Sequence, residues 1–196
     1  MPFTESYSQD EQRLLLQLAR YAVVRGIAGL EPERPAGYLI PAELERPRAC
    51  FVTLKIDGQL RGCIGNLEAN GALADAVLRN SYLAAFRDQR FEPVSESERQ
   101  QLEYEISVLT PMQPLPVSCE ADLLATLRPG IDGLLFEAEG RLATFLPSVW
   151  EQLTQPEQFV RQLRLKAGLP ADYWSDAVQC WIYQTIRIEE VSGDPD

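Results

Sequence analysis

The stretch Cys50-Phe51-Val52-Thr53-Leu54-Lys55-Ile56-Asp57-Gly58-Gln59-Leu60-Arg61-Gly62-Cys63-Ile64-Gly65 decides the fold class. Its first seven residues are apolar or β-branched apart from one lysine, Asp57-Gly58 makes a two-residue turn, and Gln59 to Gly65 returns. Asp-Gly suits the positive φ angles of a type I′ turn, so the stretch predicts a β-hairpin. Downstream, Ala72 to Phe86 reads as a helix whose small residues Ala76, Ala84 and Ala85 permit close packing against a sheet. Leu102 to Leu109 reads as a strand: Leu102, Tyr104, Ile106 and Val108 face one side, and Glu103, Glu105 and Ser107 the other. Upstream, Ser8 and Glu11 form a capping box. Leu14, Leu15, Leu18, Ala22 and Val23 follow at helical spacing, and Gly26 can end that helix.

The rest of the chain continues the mixture. Ser95 and Glu98 form a second capping box that opens a short helix, and Ser148 and Glu151 a third. Pro111, Pro114 and Pro116 close the strand before them. Ala121 to Leu127 is a short helix, and Ile131 to Phe136 with Arg141 to Phe145 a second hairpin around Glu139-Gly140. Glu157 to Ala167 is an amphipathic helix. Val178 to Val191 alternates over many residues and reads as one long strand, with Val178, Cys180, Ile182 and Ile186 on its apolar face. Most of the aromatics Trp150, Tyr173, Trp174, Trp181 and Tyr183 are expected in the core or covering the sheet. Hairpins interspersed with helices predict an α+β fold with a mostly antiparallel sheet and flanking helices. Length predicts one domain, residues 8–191, followed by a flexible tail over residues 192–196.

Composition narrows the function. The 196 residues carry 18 Lys plus Arg against 29 Asp plus Glu, a net charge of −11. That balance disfavours nucleic acid, which needs a basic footprint. There is no histidine, which removes the commonest general base, the commonest zinc ligand and every Ser-His or Cys-His arrangement. Cys50, Cys63, Cys119 and Cys180 show no C-x-x-C spacing, so no metal motif is expected, and no cofactor fingerprint is present. Scattered cysteines in a chain of this length read as free thiols in a reducing cytosol. No apolar run is long enough to span a bilayer and no signal peptide is recognisable, so a cytoplasmic, soluble protein is expected.

Chemistry concentrates in Leu60-Arg61-Gly62-Cys63-Ile64-Gly65-Asn66. Two glycines in a strand weaken it and are tolerated at a bulge or where something approaches the backbone. Arg61 and Cys63 share a face in a regular strand, where the guanidinium would favour a Cys63 thiolate. Ideal register, however, pairs Leu54 with Arg61 and Val52 with Cys63 on the apolar face, and a bulge at Gly62 would reverse that parity. The bland alternative is a bulged strand with an inert thiol. Arg87-Asp88-Gln89-Arg90-Phe91 can bind an anion or position a carboxylate, or it is a solvated helix end whose Arg87 complements the helix dipole. Glu103 and Glu105 either move protons or line a sheet face open to water. With no histidine, a carboxylate is the natural base for a catalytic Cys63.

These segments together resemble the AMMECR family, whose prokaryotic members are known as AmmeMemoRadiSam system protein A. The resemblance is carried by Phe51-Val52-Thr53-Leu54, Leu60 to Gly65, Asp88 with Arg90-Phe91, and Glu103 to Pro111. Gly133-Leu134-Leu135, Leu146-Pro147 and Lys166 to Pro170 follow in the family's order. It implies a compact α+β domain of two unequal lobes, with Leu60 to Gly65 as the signature. It also implies company: Memo-like and radical SAM proteins as partners. Gln89 stands where the family usually has Pro, and Arg164 where many members have Cys. Two readings follow. One is an enzyme or substrate-handling component with a cleft around Arg61, Gly62, Cys63, Gly65 and Asn66, lined by Asp88, Arg90, Glu103 and Glu105. There Cys63 would be nucleophile or ligand, Arg61 would bind an anionic group of a small-molecule substrate, and a glutamate would move protons. The other is a non-catalytic adaptor that docks onto those partners.

Overall fold

Ser8 starts the first helix as its capping box predicts: its hydroxyl accepts from the Glu11 amide while the Glu11 carboxylate accepts from the Ser8 amide. The computed structural model describes residues 6–190; residue 191 and the tail expected over residues 192–196 lie outside the described residues. Helix α1 spans Gln9–Ile27 and runs through Gly26 rather than ending there. A side chain at Gly26 would collide with the Phe86 ring of α2 (Leu73–Phe86), so that glycine serves helix-helix approach.

The chain divides into two units, residues 6–109 with 186–190, and residues 110–185. In the first, β1 (Cys50–Ile56) and β2 (Gln59–Gly65) form the expected hairpin, with Asp57 at φ 51° and Gly58 at φ 71°, the signs a type I′ turn requires. β3 (Glu103–Leu109) pairs antiparallel with β1, and β8 (Thr185–Glu189) completes a sheet of order β2-β1-β3-β8. One face carries Cys50, Val52, Leu54, Tyr104, Ile106 and Val108. They form one core with Leu15, Leu18, Ala22 and Val23 of α1 and Val77 and Ala84 of α2. The α1 and α2 helices therefore cover this face, by burial of apolar area.

In the second unit, β4 (Gln113–Pro114), β7 (Gln179–Tyr183), β5 (Gly133–Ala138) and β6 (Arg141–Phe145) form a sheet in that order. Its core joins Phe136 and Leu134 to Leu123 of α3 (Glu120–Thr126) and to Phe159 and Leu163 of α4 (Pro156–Lys166). The Trp150 and Phe159 rings stack 3.8 Å apart. The expected long last strand is two strands in two sheets: Cys180 joins the core of the second unit, Ile186 and Ile188 that of the first. Between them Gln184 and Thr110 exchange hydrogen bonds of 2.9 and 2.8 Å. Two further expectations are corrected. Ser148 caps nothing, because Pro147 already occupies the first position of a short 3-10 turn, Pro147–Glu151. Pro114 does not merely close a strand but lies in the short β4, which pairs with Ile182 and Trp181. No helix among the described residues is long and apolar enough to cross a membrane.

Candidate functional site

The hairpin register sets the site. Ile56 pairs with Gln59 and Lys55 with Leu60, but Leu54 pairs with Gly62, so Arg61 is the extra residue of a β-bulge. The bulge lies one residue before Gly62, and it reverses parity from there on. Cys63 pairs with Thr53, not Val52, and faces away from the helices. The Thr53 hydroxyl donates to the Cys63 sulfur at 3.3 Å. On the other side of β1, Thr53 pairs with Glu105. Glu105 is 8% exposed and accepts from Lys55 Nζ and Arg187 Nη2, each at 2.8 Å. The sheet face thus carries a row across four strands: thiol, hydroxyl, carboxylate, guanidinium.

At the outer edge of β2, Asp88 is 7% exposed and its carboxylate accepts from the Cys63 amide at 2.9 Å. It also accepts from the Arg90 amide, Nε and Nη2 at 3.2, 2.9 and 2.7 Å. Arg90 in turn donates to the Cys63 carbonyl at 3.4 Å. The Asp88–Arg90 turn therefore stands where a neighbouring strand would, satisfying both backbone groups of one edge residue. The Arg90 guanidinium and the amides of Cys63 and Arg90 hold the Asp88 carboxyl well below the usual carboxylate range, against its burial.

Burial pushes the Cys63 pKa up; the Thr53 hydrogen bond and the Arg90 charge pull it down, and Asp88 and Glu105 add to the rise. Arg61 does not stabilise a thiolate there, contrary to expectation. Bulged out of register, it places Nε and Nη2 on the Glu98 carboxylate at 2.7 and 3.2 Å. The Ser95 amide and hydroxyl also donate to that carboxylate at 2.9 Å, but the expected second capping box does not form: the Ser95 hydroxyl donates where a cap would accept, and Glu98 itself precedes the short 3-10 turn Arg99–Gln101. The Arg61 guanidinium lowers the Glu98 pKa to about 2.

The remaining candidates are structural in their contacts. A side chain at Gly62 would fall on the Ala84 carbonyl of α2, and one at Gly65 on the Phe51 ring. These glycines admit the protein's own helix and ring to the strand. Asn66 accepts from buried Asn80 at 2.8 Å, and Asn80 also donates to the Cys50 carbonyl at 2.9 Å. Glu103 accepts from the Gly58 amide at 3.1 Å and braces the hairpin turn. The structure thus gathers Cys63, Glu105, Asp88 and Arg90, and sends Arg61, Gly62, Gly65, Asn66 and Glu103 to other partners. Sequence reasoning missed Thr53, Lys55 and Arg187. Thr53 and Lys55 alternate with the core residues Val52 and Leu54, a signal that was present; Arg187 depended on where β8 joins the sheet. Among the described residues no three His, Cys, Asp or Glu side chains come together as a metal-ligating group.

Comparison with known proteins agrees with this architecture. The sequence model of the AMMECR1 family matches residues 16–188. A protein of Methanothermobacter thermautotrophicus is 39% identical over 170 residues, covering 86% of this chain and 88% of its own. One of Aquifex aeolicus is 36% identical over 167 residues, covering 84% of each. The crystal structure of the uncharacterized protein PH0010 from Pyrococcus horikoshii superposes with a TM-score of 0.84 at 30% identity, over 92% of this chain and 91% of that one. By the extent of the family match and by these relatives, the chain belongs to the AMMECR1 family.

Proposed function

We propose that this chain is a substrate-handling protein, working with Memo-like and radical SAM proteins, that receives a polar ligand on the sheet face bearing Cys63, Thr53, Glu105 and Lys55. The observation that carries the reading is the row itself: Cys63, Thr53 and Glu105 aligned across three strands on the face opposite the helices, with Lys55 and Arg187 on the Glu105 carboxylate. A thiol, a hydroxyl, a carboxylate and flanking cations offer both donors and acceptors to a small polar molecule. The chemistry favours handling over nucleophilic attack. The sulfur's hydrogen-bond partner is the Thr53 hydroxyl, which is no base at neutral pH, and Glu105 is engaged by Lys55 and Arg187. A nucleophilic cysteine needs an adjacent base or a lowered pKa.

The test is the pH dependence of Cys63 alkylation by iodoacetamide, followed by peptide mass spectrometry, alone and with purified Memo-like and radical SAM proteins. Cys63 is expected to react more slowly than exposed Cys119, with an apparent pKa above the ordinary thiol value of about 8.5. Addition of the partners is expected to protect it further. Fast alkylation at neutral pH would instead make Cys63 an activated thiolate and overturn the preference for handling over nucleophilic attack. No change on adding either partner would sink the partnership.

A further inference from the structure

Arg164, in the last turn of α4, takes no part in the site above, yet only 1% of its side chain is exposed. A guanidinium in the interior is costly unless hydrogen bonds satisfy it. One nitrogen is satisfied: Nη1 donates to Glu120 Oε1 at 2.8 Å and to the Ala171 carbonyl at 3.0 Å. Nε and Nη2 are buried and have no hydrogen-bond partner among the described residues. Those two atoms form the side-on edge of the guanidinium, whose parallel N–H bonds match the two oxygens of a carboxylate or phosphate.

The chain itself shows how that edge is used. Arg34 lays it on Asp75, Arg61 on Glu98, Arg90 on Asp88 and Arg128 on Asp132. All four are more exposed than Arg164, so water could have served them. Arg164 has the greatest need of an oxyanion and is the one of the five whose fork meets none among the described residues. Its surroundings suit a ligand. The Phe136 ring lies 5.9 Å and the Trp174 ring 5.8 Å from its central carbon, which attract a cation but accept no ordinary hydrogen bond. Phe136 is fully buried; Trp174 is half-buried in the turns that join α4 to β7, the more exposed of the two rings. Glu120, 41% exposed, balances the charge from the other end of the guanidinium.

We propose that the Nε–Nη2 edge of Arg164 is a binding site for a small oxyanion, a carboxylate or phosphate group, which enters beside Trp174. The site lies wholly within the second unit and stands apart from the reading of the Cys63 face. Because Glu120 already faces the same cation, an incoming anion is partly repelled by it, and removing that charge strengthens binding.

The experiment follows the Arg164 Nε–H and Trp174 indole N–H resonances of the full chain by NMR. Sodium acetate and sodium phosphate are titrated separately to tens of millimolar, with chloride holding ionic strength constant. A saturable shift of both resonances is expected. Saturation by acetate alone identifies a carboxylate site, by phosphate alone a phosphate site, and by both an unselective fork. Arg164→Lys keeps the charge but lacks the fork, so the Trp174 response is expected to vanish. Glu120→Gln, at a half-exposed position, serves if that variant does not fold, and is expected to saturate at a severalfold lower anion concentration. Resonances that do not move with either anion, or a Trp174 response unchanged in Arg164→Lys or Glu120→Gln, would overturn the proposal.

Discussion

Replacing Asp88 by Asn tests how the signature strand is held. The wild-type carboxylate accepts four hydrogen bonds, from the Cys63 amide, the Arg90 amide and two nitrogens of the Arg90 guanidinium. A bond to a charged acceptor contributes about 1.5–3 kcal/mol, so the two backbone bonds together account for roughly 3–6 kcal/mol. The guanidinium is 56% exposed, and its pairing adds at most about 1 kcal/mol after solvent screening. Asparagine keeps one acceptor oxygen but turns an NH2 group toward either the Cys63 amide or the Arg90 nitrogens, donor against donor. The net loss is about 2–4 kcal/mol, read from urea unfolding at pH 7. The pH dependence carries the sign. The folded Asp88 pKa is depressed, so its stabilisation is complete above the unfolded value of about 3.9 and is lost as pH falls through and below it. The gap between wild type and variant is therefore constant from pH 7 to about 5 and narrows below about 4. Hydrogen exchange of the Cys63 amide accelerates in the variant, because the edge of β2 loses its cap. A variant within about 0.5 kcal/mol of wild type at pH 7, or a gap that widens in acid, would refute the reasoning.

Other outcomes follow from the same geometry. Gly62→Ala forces a methyl onto the Ala84 carbonyl, a backbone obstacle, and costs about 1–3 kcal/mol or more in urea unfolding, whereas Gly71→Ala, with open space around it, stays within about 0.5 kcal/mol. Glu105→Gln removes a negative charge that disfavours the Cys63 thiolate, so the apparent pKa of Cys63 in the alkylation assay falls; an unchanged or higher value would contradict the row described above. Cys50 and Cys180, whose thiols burial pushes up to about 12, resist iodoacetamide at pH 8 until urea unfolds the protein. Tyr183→Phe breaks the hydroxyl's bonds to Thr144 and the Phe145 carbonyl, at 2.6 and 3.1 Å, and lowers stability by about 1–2 kcal/mol, measured by the urea midpoint.

The elements were legible where local chemistry decides them. Ser8 with Glu11 started α1, Asp57-Gly58 turned the first hairpin, and Glu139-Gly140, at φ 53° and 69°, turned the second. Alternation in β3 placed Tyr104, Ile106 and Val108 against the helices and Glu105 on the other face, because side chains on a strand point to two sides by covalent geometry. These are short-range facts, and the α+β class follows from them.

Three features needed the folded chain. The bulge at Arg61 decides which way Cys63 points; the two glycines allowed for a bulge in this strand, but whether and where the extra residue falls shows only in the pairing with β1. The last run keeps one parity from Cys180 through Ile186 to Ile188, so its pattern is that of one strand, while the two halves pair with different sheets. The partners of the charged groups are the third. Asp88 finds the Cys63 amide 25 positions away in sequence, Arg61 finds Glu98 at 37, and Glu105 finds Lys55 at 50. A sequence states which groups carry charge and hydrogen-bonding capacity. Which donor reaches which acceptor is a matter of angstroms, set by how apolar faces close around one another, and that was decided by the tertiary structure alone.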